Sequence, residues 1–304
     1  MEYKIVTDGS CDLPSELCRQ KNIQVVPFYV SFDSETYQKE IEEIPIRKFY
    51  DMMVADPTTF PKSSMPSVQD YVDVFTPIVQ EGKAVICICI TTKFSGSYQS
   101  AMNAKEMVLE SFPDARITVM DSTINTVLQG LFVLEAVKLQ EKNVPYDEAI
   151  QQLEAIKGTG RIFFTIGNMD YLKHGGRIGK LTGLAGSVLG IRPVITLKEG
   201  EIFPSGIARS RKKTIEKVYE LLWQYLLELN ADLSEYSLCI GFGYDSGEAK
   251  EFQKGAIDYL VSKGIVITED DLPIYQIGAT ISVHTGPYPL GFGIIKKAKQ
   301  AKNN

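Results

Sequence analysis

The chain has 304 residues, 44% hydrophobic and 23% charged, with 32 basic against 38 acidic side chains and a net charge of −6. That length accommodates two domains of ordinary size, and the composition excludes a disordered, collagen-like or disulfide-scaffold protein. The negative balance repels a polyanion, so no nucleic-acid partner is expected. The cysteines Cys11, Cys18, Cys87, Cys89 and Cys239 are odd in number, lack CxxC spacing and have no His nearby. They point to a reducing cytoplasm and to neither a disulfide framework nor a zinc site. The N-terminal MEYKIVTDGS lacks the charged and apolar regions of a secretory signal.

In chain order, segments 3–7, 23–32, 84–90 (AVICICI) and 117–120 read as strands. Helical patterns lie between them. One opens with Ser67 as N-cap and Asp70 at the capping-box position, placing Val68, Tyr71, Val72 and Phe75 on one face; others cover 98–110 and 126–142. Buried strands alternating with amphipathic helices imply βαβ units and a largely parallel sheet, because parallel neighbours need a crossover.

The second half has another rhythm. A helix over 147–157 precedes the strand RIFFTIG, the short helix NMDYLKHGG and a Gly- and Ala-rich helix over 180–189. IRPVITL, a turn around Gly200 and IFPSGIAR form a hairpin signature. A helix over 214–229 holds the only tryptophan, Trp223; the strand YSLCIGFG, a helix over 247–263, the strand PIYQIG and a strand near Phe292 follow. The expected fold class is therefore α/β with two domains. Residues 1–158 form an α/β domain around a mostly parallel sheet, and residues 159–304 an α+β domain around a mixed or antiparallel one. Within the second, residues 272–295 contain no Asp, Glu, Lys or Arg and are long enough to span a bilayer. Pro273, Pro287, Pro289 and four glycines break any continuous helix there, so short strands and a tight loop around a buried space are expected.

Several motifs mislead. HGGRIGK has only three residues between Gly175 and Gly179, and Leu181 where a P-loop needs Ser or Thr. GFGYDSG, with Gly241, Gly243 and Gly247, is one residue too long for a dinucleotide fingerprint and reads as a tight strand-to-helix turn. GxSxG is absent, and His174 and His284, the only imidazoles, lie at no metal-ligand spacing. No catalytic residue, metal or cofactor is expected.

What remains is a set of hydroxyls where α/β sheets bind ligands. TTKFSGSYQS places Thr91, Thr92, Ser95 and Ser97 between a strand and a helix, where free N–H groups favour an anion. KSSMPS repeats the arrangement with Ser63 and Ser64. Helix capping alone explains one such loop; two together favour ligand binding. TDGSCDLP adds Asp8, Ser10 and Asp12 at the end of the first strand; Asp8 and Asp12 fit a metal or, better, an Asx-type turn. His284 and Thr285 sit in the uncharged stretch, and Arg177 follows paired glycines. The helix GKLTGLAGSVLG serves either close approach of a ligand or tight helix packing.

At these residues the sequence resembles the DegV family, bacterial lipid-binding proteins that include fatty-acid-binding subunits of fatty acid kinase. TDGSCDL, KSSMPS, FSGSYQSA, MDS, YLKHGGRIGK, IRPVITLKEGEI, ARSRKK and HTGPYPLGFG carry the resemblance across nearly the whole chain. It implies a long-chain fatty acid as ligand, its carboxylate held by Ser63, Ser95 and His284; Ser64, Gly96, Ser97, Thr285 and Arg177, from the segments read above, are candidates for additional pocket residues. The chain departs from the family pattern at Ser63 and Met65, where Thr and Gln are usual, at Tyr288 and Pro289 in place of small residues, and at Leu128 in place of Gly.

Burying roughly fifteen methylenes at about 0.8 kcal/mol each offers on the order of 10 kcal/mol of gross transfer energy. Affinity then comes from an apolar tunnel, and hydroxyls, His and backbone N–H groups replace the water lost by the carboxylate. No residue is suited to activating ATP, and the resemblance implies a non-enzymatic protein that presents the carboxyl group to a separate kinase for acyl-phosphate formation. Arg209 and Arg211, with Lys212 and Lys213, form a candidate docking patch for that partner or for transient contact with a membrane; a solvated helix start is the plainer account. The alternatives are a passive lipid carrier or sensor, and an acyl or phosphoryl transferase with Ser95 as nucleophile.

Overall fold

The computed structural model describes residues 2–184, 190–230 and 232–299. Its strands are β1 (Tyr3–Asp8), β2 (Gln24–Val26), β3 (Tyr29–Ser31), β4 (Gln38–Lys39), β5 (Lys62–Ser64), β6 (Ala84–Cys89), β7 (Ile117–Asp121), β8 (Arg161–Thr165), β9 (Arg192–Lys198), β10 (Glu201–Ala208), β11 (Tyr236–Phe242), β12 (Ile274–Gln276) and β13 (Leu290–Lys296). The helices are α1 (Ser15–Gln20), α2 (Ile46–Ala55), α3 (Val68–Gln80), α4 (Ser97–Ser111), α5 (Thr126–Glu141), α6 (Tyr146–Lys157), α7 (Asp170–His174), α8 (Arg211–Glu228), α9 (Ser246–Ser262) and α10 (Ala279–Thr285).

Strands β2-β1-β6-β7 form a parallel sheet, in which Ile5 pairs with Ile86 and Ile86 with Thr118. Every residue of β6 is buried, as a parallel strand covered on both faces requires. Val6, Val85 and Cys87 pack against Tyr71 and Phe75 of α3 and Ala101 and Ala104 of α4. Ile5, Ile86 and Ile88 face the other way, into a core with Leu131, Phe132 and Ala136 of α5. A second sheet, β10-β9-β8-β13-β11-β12, is antiparallel except for the β11–β12 pair. Helices α8 and α9 cover one face through Val218, Leu222, Phe252 and Leu260. The other face meets α5, whose residues are buried nearly all round because it lies between the two sheets. The layer order is thus helices, parallel sheet, α5 with α6, mixed sheet, helices. This is the expected α/β class. We retain 1–158 and 159–304 as a proposed domain division: the sheet changes there, while the core around α5 runs across it.

The β9–β10 hairpin turns through Glu199 and Gly200, both at positive φ (51° and 81°), which gives Lys198 and Glu201 as the last pair. The capping box at Ser67 is present, with Asp70 N donating to Ser67 Oγ at 3.1 Å and Ser67 N to Asp70 Oδ2 at 2.7 Å.

Other expectations need correction. The single strand over 23–32 is two, β2 and β3, parted at Pro27, which has no N–H for a ladder. β3 belongs instead to a small antiparallel sheet, β4-β3-β5, so Ser63 and Ser64 lie on a strand, paired with Val30 and Tyr29. Helices α1 and α2 were not foreseen. Residues 272–295 hold not only strands and a loop but helix α10, stopped by Gly286. Of the helix expected over 180–189, Gly179–Leu184 is a 3-10 segment, and 185–189 lie outside the described residues. Among the described residues no helix is long and apolar enough to cross a membrane.

Gly286 occupies φ 74°, ψ −171°, a region open essentially to glycine alone, and a Cβ there would stand 2.6 Å from the Tyr171 ring. Gly286→Ala is expected to lower stability by about 2 kcal/mol or more in urea titrations; an unchanged midpoint would contradict this account of the turn.

Candidate functional site

A cavity of about 280 Å³ opens beside the carboxyl end of β6 and runs between the parallel and mixed sheets. Phe28, Ile90, Ile162, Phe164, Leu197 and Phe292 represent its largely apolar wall. Ser63, Ser95 and His284 all line it, each from a different element: β5, the β6–α4 loop and the last turn of α10. His284 Nε2 stands 3.3 Å from Ser63 Oγ, and Ser95 Oγ accepts a hydrogen bond from Ser97 N at 3.1 Å. Ser64, Gly96, Arg177 and Thr285 line the cavity as well.

Burial, and then the positive charge of Arg177, depress the His284 pKa to about 4. The ring is therefore neutral at pH 7, with one N–H to give. Gly175 makes room for it, since a Cβ at that position would stand 2.1 Å from His284 Nδ1. Arg177 is held beside the ring: Nε and Nη2 donate to Phe94 O at 3.1 and 3.0 Å, and Nη1 to Gly175 O at 2.7 Å. A guanidinium so engaged adds positive potential at the mouth.

Ser97 is not brought to the cavity. Its buried hydroxyl donates to Asp8 Oδ2 at 2.8 Å and meets Tyr71 OH at 2.6 Å. Asp8 also accepts from Ile90 N at 2.9 Å, Ser10 Oγ at 2.7 Å and Gln129 Nε2 at 2.8 Å. Burial still raises its pKa above the ordinary carboxylate value. Asp8 therefore knits β1, β6, α4 and α5 together rather than closing a local turn. Asp12 likewise reaches across the fold, accepting from Thr126 Oγ1 at 2.6 Å. Among the described residues no cluster of His, Cys, Asp or Glu is placed to hold a metal.

The departures from the family pattern fall at distinct places. Met65 lies over Gly96 at the mouth, where a Cβ on Gly96 would stand 2.7 Å from its sulfur. Pro289 lines the cavity, and Tyr288 stands outside it against Tyr244. Leu128 is buried against Gly160 and Gly293 and does not line the cavity. Arg211 is spoken for, pairing through Nε and Nη2 with both oxygens of Glu248 at 2.7 Å, while Arg209, Lys212 and Lys213 are exposed. Sequence reasoning missed Thr280 and Asn125, polar residues on the cavity wall. No motif marks either one.

A family model described as "Uncharacterised protein, DegV family" matches residues 2–297. A DegV domain-containing protein of Clostridium perfringens is 29% identical, over 98% of this chain and 100% of its own. Among solved structures, a fat acid (stearic acid)-binding protein from Eubacterium ventriosum has 44% identity and a TM-score of 0.91, covering 97% of this chain and 99% of that one. A fatty-acid-binding DegV family protein from Thermus thermophilus has 28% identity and a TM-score of 0.83, covering 97% and 100%.

The depressed His284 pKa carries a sign. Stability gained by keeping the ring neutral is fully present above its ordinary pKa of 6.5 and is lost as pH falls toward 4, to an extent on the order of 3 kcal/mol. Denaturant titrations of the lipid-free protein at pH 7 and 4.5 should show a larger acid loss in the parent than in His284→Asn. Equal losses would contradict a buried neutral ring.

Proposed function

The chain belongs to the DegV family, and from that premise we propose that it binds one long-chain fatty acid, tail in the cavity and carboxylate at the mouth between Ser63, Ser95 and His284. The observation that carries this reading is the convergence of three neutral hydrogen-bonding side chains from three separate elements on one largely apolar cavity. An ionised carboxyl group leaving water needs such partners, and bonds to a charged acceptor are worth about 1.5–3 kcal/mol each. Apolar contact along the tail supplies affinity, and the hydroxyls and imidazole supply orientation.

The finer reading is that the protein presents this carboxylate to a separate kinase. A polar groove lined by Thr92, Lys93, Arg177 and Lys180 shares Ser95 and Gly96 with the cavity mouth. A phosphoryl donor held by a partner would approach from there, the carboxylate oxygen taking the phosphoryl group and a nucleoside diphosphate leaving. Exposed Arg209, Lys212 and Lys213 are the proposed docking cations; Arg211, paired with Glu248, is better suited to holding α8 against α9. A reducing cytoplasmic setting and transient contact with a membrane belong to the same proposal. The transferase alternative is disfavoured because His284 Nε2 faces Ser63 rather than Ser95.

Native mass spectrometry after organic extraction should find about one fatty acid per chain. The Ser63→Ala, Ser95→Ala double variant should weaken binding by roughly a hundredfold. Full retention in that variant removes the headgroup assignment. Incubating the loaded protein with source-cell extract, ATP and hydroxylamine should yield an acyl hydroxamate, and Arg209→Glu should reduce that yield while leaving lipid content unchanged. Equal yield from Arg209→Glu would discard the docking patch.

A further inference from the structure

Helix α10 has seven residues, too few to hold itself in place, and Thr280, Ile281 and Val283 among them favour strands. Its N-cap is Gly278, which has no side chain to accept from the first turn. The acceptor comes from far away in the chain. Glu40, 2% exposed and just beyond β4, takes Thr280 N on Oε2 at 2.9 Å and Phe28 N on Oε1 at 3.3 Å, with the Thr280 hydroxyl as a further partner. Tyr50 of α2 bonds on the other side of the N-cap, its OH donating to Ile277 O at 3.0 Å. A Cβ on Gly278 would stand 2.3 Å from Asp12 Oδ1 and 3.8 Å from Glu40 Oε2, so the chain enters α10 pressed against both acids.

His284 stands one turn further on, about 6 Å along the axis from Thr280. Its Nε2 meets Ser63, while among the described residues its Nδ1 has no hydrogen-bond partner, so no second bond orients the ring. The seat of the helix does so instead. We propose that Glu40 and Tyr50, neither of which lines the cavity, are positioning residues for the fatty acid carboxylate, fixing His284 against it through α10. This rests on the fatty-acid reading above and adds to it the remote residues on which recognition of the acid end depends. Glutamine cannot replace Glu40 here: two N–H groups meet its two oxygens, and an amide turns an NH2 group toward one of them.

The test is the ratio of stearate to octadecanol affinity, measured on the delipidated full chain: the two tails are the same and only the acid end differs. Glu40→Gln should lower that ratio roughly tenfold, the equivalent of one hydrogen bond to a charged group. In a His284→Asn background the same substitution should lower it less than about twofold, because Glu40 acts through the ring. Tyr50→Phe should lower the ratio in the same direction, and serves if Glu40→Gln folds poorly. A ratio unchanged in both variants overturns the proposal. So do equal losses for acid and alcohol, which a general loosening of the fold produces, and an undiminished loss in the His284→Asn background. If the parent binds neither lipid, the fatty-acid reading itself falls, and the proposal with it.

Discussion

An ionised carboxyl group gives up several kcal/mol of hydration when it leaves water, and only donors already in place restore it. That constraint governs the proposed ligand and equally the protein's own buried acids. Asp8 is ringed by a backbone N–H, two hydroxyls and an amide. Glu40 accepts from Phe28 N and Thr280 N, and Asp12 from Thr126 Oγ1. Burial raises the pKa of all three above the ordinary range. Phe28, Thr126 and Thr280 all line the cavity, so these carboxyl groups fasten its walls to one another.

The same economy explains the layers. With apolar faces of two sheets turned toward α5, the helix has little surface left for solvent. The cavity opens beside the carboxyl end of β6, the place where an α/β sheet presents free backbone N–H groups. Helices α2 and α10 and the small sheet β4-β3-β5 close the remaining side, packed through Val30, Tyr50, Ala279 and Val283. His284, in the last turn of α10, is placed by this packing.

Legibility in the sequence followed the strength of local signals. AVICICI, the Ser67 capping box and the Glu199–Gly200 turn each announce their structure through a pattern of a few residues, and each is present. Strand β5 is only three residues long, and helix α10 is built from residues such as Thr280, Ile281 and Val283 that favour strands. Tertiary packing decided both. The hydroxyl loops and the HTGP segment singled out Ser63, Ser95 and His284, which the fold brings to one cavity. Ser97, taken from the same loop as Ser95, points the other way, because the first residue of α4 turns its side chain toward Asp8. Thr280 was invisible for the opposite reason: its partner, Glu40, lies far away in the chain.

The most direct measurement is a pH titration of bound palmitate labelled with carbon-13 at its carboxyl carbon, followed by nuclear magnetic resonance. The account predicts one slowly exchanging resonance at the position of an ionised carboxylate at pH 7, displaced in Ser63→Ala and in His284→Asn. A resonance that titrates as free palmitate does, and is the same in parent and variants, would mean that the acid end is not held at this mouth.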